Sequence, residues 1–153
     1  MRAEVAVLGG GSWGTVLADV AAQCGPSVLW MRSEERARTL RETRTNPKYL
    51  GDSEISTQVE VTCDLEYAVR DRPVVLVVVP SSAMRQVARD IGEFLQGHQV
   101  VLSATKGLEP TTHLRMTQVL AEETCALKLG AICTSREGRA RTSRGAVSSS
   151  PRR

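Results

Sequence analysis

Val5-Ala6-Val7-Leu8-Gly9-Gly10-Gly11-Ser12-Trp13-Gly14 decides the fold. An apolar tetrad runs straight into glycines at 9, 11 and 14, and a helical pattern follows. Strand, tight turn and helix with that glycine spacing form a dinucleotide-binding turn. Gly9 permits the sharp turn. Gly11 has no side chain, so the backbone can approach a pyrophosphate. Gly14 lets the helix pack close on the sheet. The free N–H groups and positive dipole end of that helix then face the phosphates. The glycines alone are a weak signal, and their place at the start of a βαβ pattern makes it strong.

Outward from this turn, strands and helices alternate. Strand Glu4 to Leu8 leads to a helix over Trp13 to Cys24, its apolar face read as Val16, Leu17, Val20 and Ala21. Gly25-Pro26 stops it, and Ser27 to Met31 is the second strand. A charged helix spans Glu34 to Arg44, and residues 45–58 read as loop. A short strand over Val59 to Thr62 and a helix from the N-cap Asp64 through Arg70 follow. Pro73 to Val79 is continuously apolar between prolines, which marks a central strand buried on both faces. Ser81 or Ser82 is expected to cap a helix to Leu95. Gln99 to Ala104 is the next strand, Thr111 or Thr112 opens a helix to Glu123, and Leu127 to Ile132 is a last strand. The alternation predicts an α/β fold, a doubly wound parallel sheet of Rossmann type.

The chain has 153 residues, 41% hydrophobic and 24% charged, which suits one globular domain with a core. No run reaches the ~18 apolar residues of a membrane span. The N-terminus enters a strand directly, without the pattern of a signal peptide, and Cys24, Cys63, Cys125 and Cys133 form no CxxC pair. A cytoplasmic protein with reduced thiols is expected, with no metal site: His98 and His113 are isolated.

The net charge of +3 hides an asymmetry. Residues 1–124 carry 13 basic and 16 acidic side chains, whereas residues 125–153 carry seven basic and one acidic. From Cys133 the periodic pattern fails in an Arg/Ser-rich stretch that cannot bury enough surface to order itself. The expected division is a nucleotide-binding domain over 1–132 and a disordered tail over 133–153.

The end of the second strand chooses the dinucleotide. An NAD preference calls for a carboxylate there, to hold the ribose hydroxyls. Here the strand ends Leu29-Trp30-Met31-Arg32-Ser33, with no carboxylate before Glu34. Arg32 is placed to pair with a 2′-phosphate rather than to wave in solvent, so NADP is expected to be preferred, with NAD as the lesser cofactor. Lys106, in Ala104-Thr105-Lys106-Gly107, follows a buried strand at the carboxyl edge where ligands bind. Spacing leaves it open between a ligand for an anion and an ordinary loop lysine. Asn46 and Tyr49 lie in the loop after the second helix, within reach of a nucleotide, and spacing leaves their roles open too.

The pieces VAVLGGGSWGTVLA, VLWMR, RTNPKYL, VVLVVVPS and SATKGLEP follow one another at a spacing that resembles the N-terminal domain of bacterial-type NAD(P)-dependent glycerol-3-phosphate dehydrogenase. The resemblance covers residues 3–123. GSWGT and ATKGLEP set the chain apart from ketopantoate reductases, which share the glycine motif. Two departures are that the family usually has alanine where this chain has Gly10, and Pro-Gly where it has Gly51-Asp52.

The resemblance implies that Gly9, Gly11, Ser12, Trp13 and Gly14 cradle the dinucleotide. It places Arg32 and Ser33 at the adenosine phosphate and Tyr49 near the cofactor. It sets Lys106 beside both the nicotinamide and the substrate. The family reaction is reversible hydride transfer between the nicotinamide and dihydroxyacetone phosphate or glycerol 3-phosphate, feeding phospholipid synthesis. The implied partner is that small-molecule substrate, a homodimer is compatible with it, and no nucleic acid is expected.

In the family, the strand matching Leu127 to Ile132 runs into a Ser-Gly-Pro turn and then a helical domain, which supplies the general base and the substrate clamp. This chain reads Cys133-Thr134-Ser135-Arg136 instead. The expectation is that the helical domain is absent, that no catalytic residue lies in this chain, and that the chain alone is inactive. The change of pattern looks like translation in a shifted reading frame, a hypothesis under which the missing domain is expected downstream in another frame. The competing reading is a stand-alone nucleotide-binding module whose arginine-rich tail binds polyanions.

Overall fold

The apolar runs become short strands and the segments between them helices. The computed structural model of the chain describes residues 4–133. In order come β1 (Val5–Leu8), α1 (Ser12–Ala22), β2 (Ser27–Trp30), α2 (Glu34–Thr43), α3 (Pro47–Leu50) and β3 (Val59–Thr62). Then follow α4 (Leu65–Val69), β4 (Val74–Val77), α5 (Met84–Gly92), β5 (Val100–Ser103), α6 (Met116–Glu123) and β6 (Lys128–Ala131).

All strand pairings are parallel, in the order β3-β2-β1-β4-β5-β6. The chain builds outward from β1 to β3, crosses back, and builds the other way from β4. This is the Rossmann-type arrangement, and the order reverses between β1 and β4. The sheet divides two cores. On one face Ala6, Leu8, Val75, Val77 and Val101 pack against α4, α5 and α6. On the other, Val7, Leu29, Val61 and Leu76 pack against α1 and α2. Successive residues of β1 and β4 therefore enter opposite cores, which is why those strands read as unbroken apolar runs.

Several boundaries differ from the expectation. α1 buries Gly14, Thr15, Ala18 and Ala22, not the larger Val16–Leu17–Val20–Ala21 face, and Val20 is 50% exposed. The first helix lies so close to the sheet that only small residues fit beneath it. Part of the expected 45–58 loop forms α3, started by Pro47 at its first position. Neither Ser81 nor Ser82 caps a helix: Ser81–Ala83 is a 3₁₀ turn, and α5 begins after Ala83 without a side-chain cap. α6 starts at Met116, not at Thr111 or Thr112, where Gln118 Oε1 reaches back to accept from the Arg115 backbone N–H at 3.1 Å. Thr112 is drawn away because its hydroxyl donates to the Glu109 carboxylate.

Buried polar side chains hold the crossovers. Ser27 Oγ donates to the Ala18 carbonyl at 2.8 Å, pinning α1 to the start of β2. Gln99 is fully buried before β5 and donates to the carbonyls of Val69 and Arg72 at 2.8 and 2.9 Å. The Arg/Ser-rich stretch beyond Cys133 lies outside the described residues.

Candidate functional site

The glycine turn sits at the carboxyl end of β1, where the strand order reverses. Gly9 has a φ of +131°, and a Cβ there would overlap the Val78 carbonyl oxygen beyond β4. A Cβ on Gly14 would overlap the Gly9 carbonyl oxygen. Both positions thus exclude a side chain for reasons inside the protein. Gly11 differs: a Cβ there would meet no protein atom within 4 Å. Its missing side chain serves whatever approaches from outside, which is the role a pyrophosphate-binding glycine needs. Gly11 also caps α1 with no side-chain hydrogen bond, and no acidic residue lies in the first turn. The leading N–H groups and the dipole of α1 are left for an anion.

The turn is braced from below. Thr15 Oγ1 donates to the Gly11 carbonyl at 2.8 Å. Asn46 Nδ2 donates to Thr15 Oγ1 at 2.9 Å, and Arg36 Nη2 donates to the Gly10 carbonyl at 2.6 Å. Asn46 is only 4% exposed, so it supports the turn instead of covering a nucleotide.

Two cavities flank the turn. One, about 360 Å³, is lined by Gly9 to Gly11, Trp30 to Ser33, Arg36, Tyr49 and the Val78–Pro80 wall. It holds two arginines and no carboxylate. Arg32 is exposed at its mouth, whereas Ser33 accepts from the Arg36 backbone N–H as the N-cap of α2 at 3.4 Å. The Tyr49 ring lies 4.9 Å from the Arg36 guanidinium carbon. The other cavity, about 550 Å³, is lined by Gly11, Ser12, Trp13, Gly14, Val78, Val79 and Ala104 to Lys106. Lys106 also borders a third cavity, of about 350 Å³, with Ser103, Arg115, Thr117 and Ile132.

The Lys106 turn is held on both sides. Thr105 Oγ1 donates to the Val79 carbonyl at 2.8 Å and accepts from the Val79 N–H at 3.2 Å, joining the ends of β4 and β5. Further on, Glu109 accepts both Arg85 Nε and Arg85 Nη2 at 2.7 Å, a bidentate pair that ties the loop to α5. That guanidinium and the Thr112 hydroxyl hold the Glu109 carboxyl down to a pKa of about 2. Among the described residues, no group of three His, Cys, Asp or Glu is placed to hold a metal ion, and no helix is long and apolar enough to cross a membrane.

The structure therefore gathers the residues of the glycine turn, the β2 end, Tyr49 and Lys106 along one crevice, with Asn46 beneath it. Gly9, Gly11, Arg32, Ser33 and Tyr49 line the first cavity; Ser12, Trp13, Gly14 and Lys106 line the second. Sequence reasoning missed Arg36, Thr15 and Thr105. Arg36 was findable as a basic residue in the first turn of α2, three positions after the N-cap Ser33. Thr15 and Thr105 act through backbone contacts that no local pattern announces.

Comparison with known proteins is consistent with this geometry. The family described as NAD-dependent glycerol-3-phosphate dehydrogenase N-terminus matches residues 4–134. A glycerol-3-phosphate dehydrogenase [NAD(P)+] from Leuconostoc mesenteroides is 47% identical over 124 residues, covering 78% of this chain and 37% of that protein. One from Teredinibacter turnerae is 41% identical over 130 residues, covering 84% and 38%. The crystal structure of glycerol-3-phosphate dehydrogenase from Coxiella burnetii superposes with a TM-score of 0.73 at 26% identity, covering 82% of this chain and 38% of that one. The chain thus spans well under half the length of the relatives it matches.

Proposed function

The chain belongs to the family of the NAD-dependent glycerol-3-phosphate dehydrogenase N-terminus, and from that premise we propose that residues 1–132 bind NADPH, or NADH more weakly, as the cofactor half of such an enzyme. The pyrophosphate lies over Gly11 and the start of α1, with Ser12 and Trp13 against it. The adenosine end enters the cavity of Arg32, Ser33 and Tyr49. The nicotinamide end points toward Lys106. When bound, the nicotinamide supplies the hydride exchanged with dihydroxyacetone phosphate or glycerol 3-phosphate. The protein's own part is orientation and charge: Lys106, lining two adjoining cavities, is placed to meet an anionic substrate at the nicotinamide's edge.

The single observation that carries this reading is Gly11. It is a glycine that no protein atom requires, at the head of an uncapped helix, between two cavities. No residue of this crevice combines an acid or base with a nucleophile, and the proposal assigns the proton transfer and substrate clamp to elements beyond this domain. Turnover by this chain alone is expected to be negligible, since proton transfer contributes roughly 10²–10⁴-fold. A homodimer, a cytoplasmic location and the small phosphorylated substrate belong to the same proposal. The alternative of a polyanion-binding tail concerns residues outside the described ones, and the family match stops at residue 134.

Fluorescence titration tests the reading. Trp13 and Trp30 line the two cavities. NADPH should quench their emission saturably at micromolar concentration. Unchanged emission up to millimolar NADPH refutes the proposal.

A further inference from the structure

Arg36 is the one charged side chain of the crevice fixed in place from two sides. Its Nη2 donates to the Gly10 carbonyl at 2.6 Å, and its guanidinium carbon lies 4.9 Å from the centre of the Tyr49 ring. Its backbone N–H meets the Ser33 hydroxyl. Arg32 is exposed instead, and among the described residues it engages no partner. Both arginines line the same cavity of about 360 Å³, whose walls contain no carboxylate, and among the described residues Arg36 pairs with none.

Two guanidinium groups in one small cavity repel each other unless an anion lies between them. A phosphodiester carries one charge per phosphorus and is served by the α1 dipole. A phosphomonoester carries roughly −1.5 to −2 and three acceptor oxygens, which match two cationic forks. One of Arg36's five donors goes to Gly10, which leaves the rest of the fork for a ligand. Because the ring and the carbonyl already hold it, ordering Arg36 around a phosphate costs less side-chain entropy than ordering Arg32.

We propose that Arg36 is a second specificity-determining residue, which closes with Arg32 on the 2′-phosphate of NADPH and sets the preference over NADH. The inference rests on the dinucleotide reading of the crevice above. Arg36 has a second duty, holding the Gly10 peptide, and the test must separate the two. Removing the loop contact weakens both dinucleotides, whereas removing the phosphate contact weakens only the phosphorylated one.

The experiment uses the full 153-residue chain and measures dissociation constants for NADPH, NADH, 2′,5′-ADP and 5′-ADP. R36Q loses both contacts, so it should weaken all four ligands through the turn, and NADPH and 2′,5′-ADP about ten- to a hundredfold more than NADH and 5′-ADP. R36K keeps the charge and loses the fork, so it should fall between parent and R36Q for the phosphorylated ligands. It also decides the matter alone if R36Q melts below the assay temperature. Equal losses for NADPH and NADH, or no loss for 2′,5′-ADP, overturn the inference and leave Arg36 as a support of the glycine turn. A parent chain that binds neither dinucleotide overturns the functional reading itself, an outcome distinct from a parent that binds NADPH while R36Q leaves it unchanged.

Discussion

Asn46 donates its side-chain amide to the Thr15 hydroxyl at 2.9 Å across 31 residues of sequence, and Thr15 passes the contact on to the Gly11 carbonyl at 2.8 Å. The segment entering α3 thereby holds up the phosphate turn from beneath. Asn46→Ala leaves a buried hydroxyl without its donor and a small void beside it. Stability should drop by about 1–2 kcal/mol. NADPH and NADH should weaken together, because the pyrophosphate is common to both. Denaturant unfolding and paired titrations check this; a changed NADPH-to-NADH ratio contradicts it.

Arg32→Ala acts at the mouth of the first cavity. Loss of one charge-assisted contact should weaken NADPH about ten- to a hundredfold and NADH hardly at all. Equal losses would refute a 2′-phosphate role for Arg32.

Gly10 packs directly on a neighbour. A Cβ there would overlap the Met31 side chain, which fills the space at the end of β2. Gly10→Ala should therefore destabilise the chain by about 1–3 kcal/mol through overpacking. Met31→Ala in that background should return part of the loss, giving a non-additive pair by thermal or denaturant unfolding. Additive losses would show that the two positions do not compete for space.

Cys63 is the thiol withdrawn from chemistry. Burial first, and then its hydrogen bond to Glu34, push its pKa up from 9.0 to about 11. The folded state holds this proton more tightly than the unfolded one, so stability is full below pH 9 and falls as pH rises toward 11. Cys63→Ala should flatten that alkaline limb. Peptide mapping after brief alkylation near pH 8 should find Cys24, Cys125 and Cys133, all exposed, labelled ahead of Cys63.

Acid acts on the Lys106 loop. With Glu109 held at about 2 by Arg85 and Thr112, its contribution is intact above its ordinary value of 4.5 and is lost as pH falls toward 2. Arg85→Ala should flatten the acid limb of a pH–stability profile in that window. It should also raise hydrogen exchange between residues 107 and 115. An unaltered acid limb would show that the pair does not brace the loop.

The sheet was legible in the sequence because its strands are buried on both faces, and a run such as Val74–Val77 has no polar register to obscure it. Gly9 and Gly14, and the place of Arg32 in the cavity, were legible because they depend on local spacing. The buried face of α1 was misread because it is made of Gly14, Thr15, Ala18 and Ala22, which scarcely register on a hydrophobicity scale although their smallness is what the packing needs. The start of α6 was misplaced because Thr112 looked like a cap while its hydroxyl serves Glu109. Arg36 escaped notice because its meaning lies in a carbonyl 26 residues upstream and a ring 13 residues downstream.

The carbonyl that excludes a side chain from Gly9 belongs to Val78. One wall of the phosphate turn thus comes from a strand about seventy positions further along, and the bond from the Val78 N–H to the Leu8 carbonyl seals it at 2.8 Å. During synthesis the whole glycine motif leaves the ribosome long before that wall exists. The first βαβ unit carries the consensus and lacks that wall. A nucleotide held over this turn is therefore expected to bind only chains in which β4 has already paired with β1.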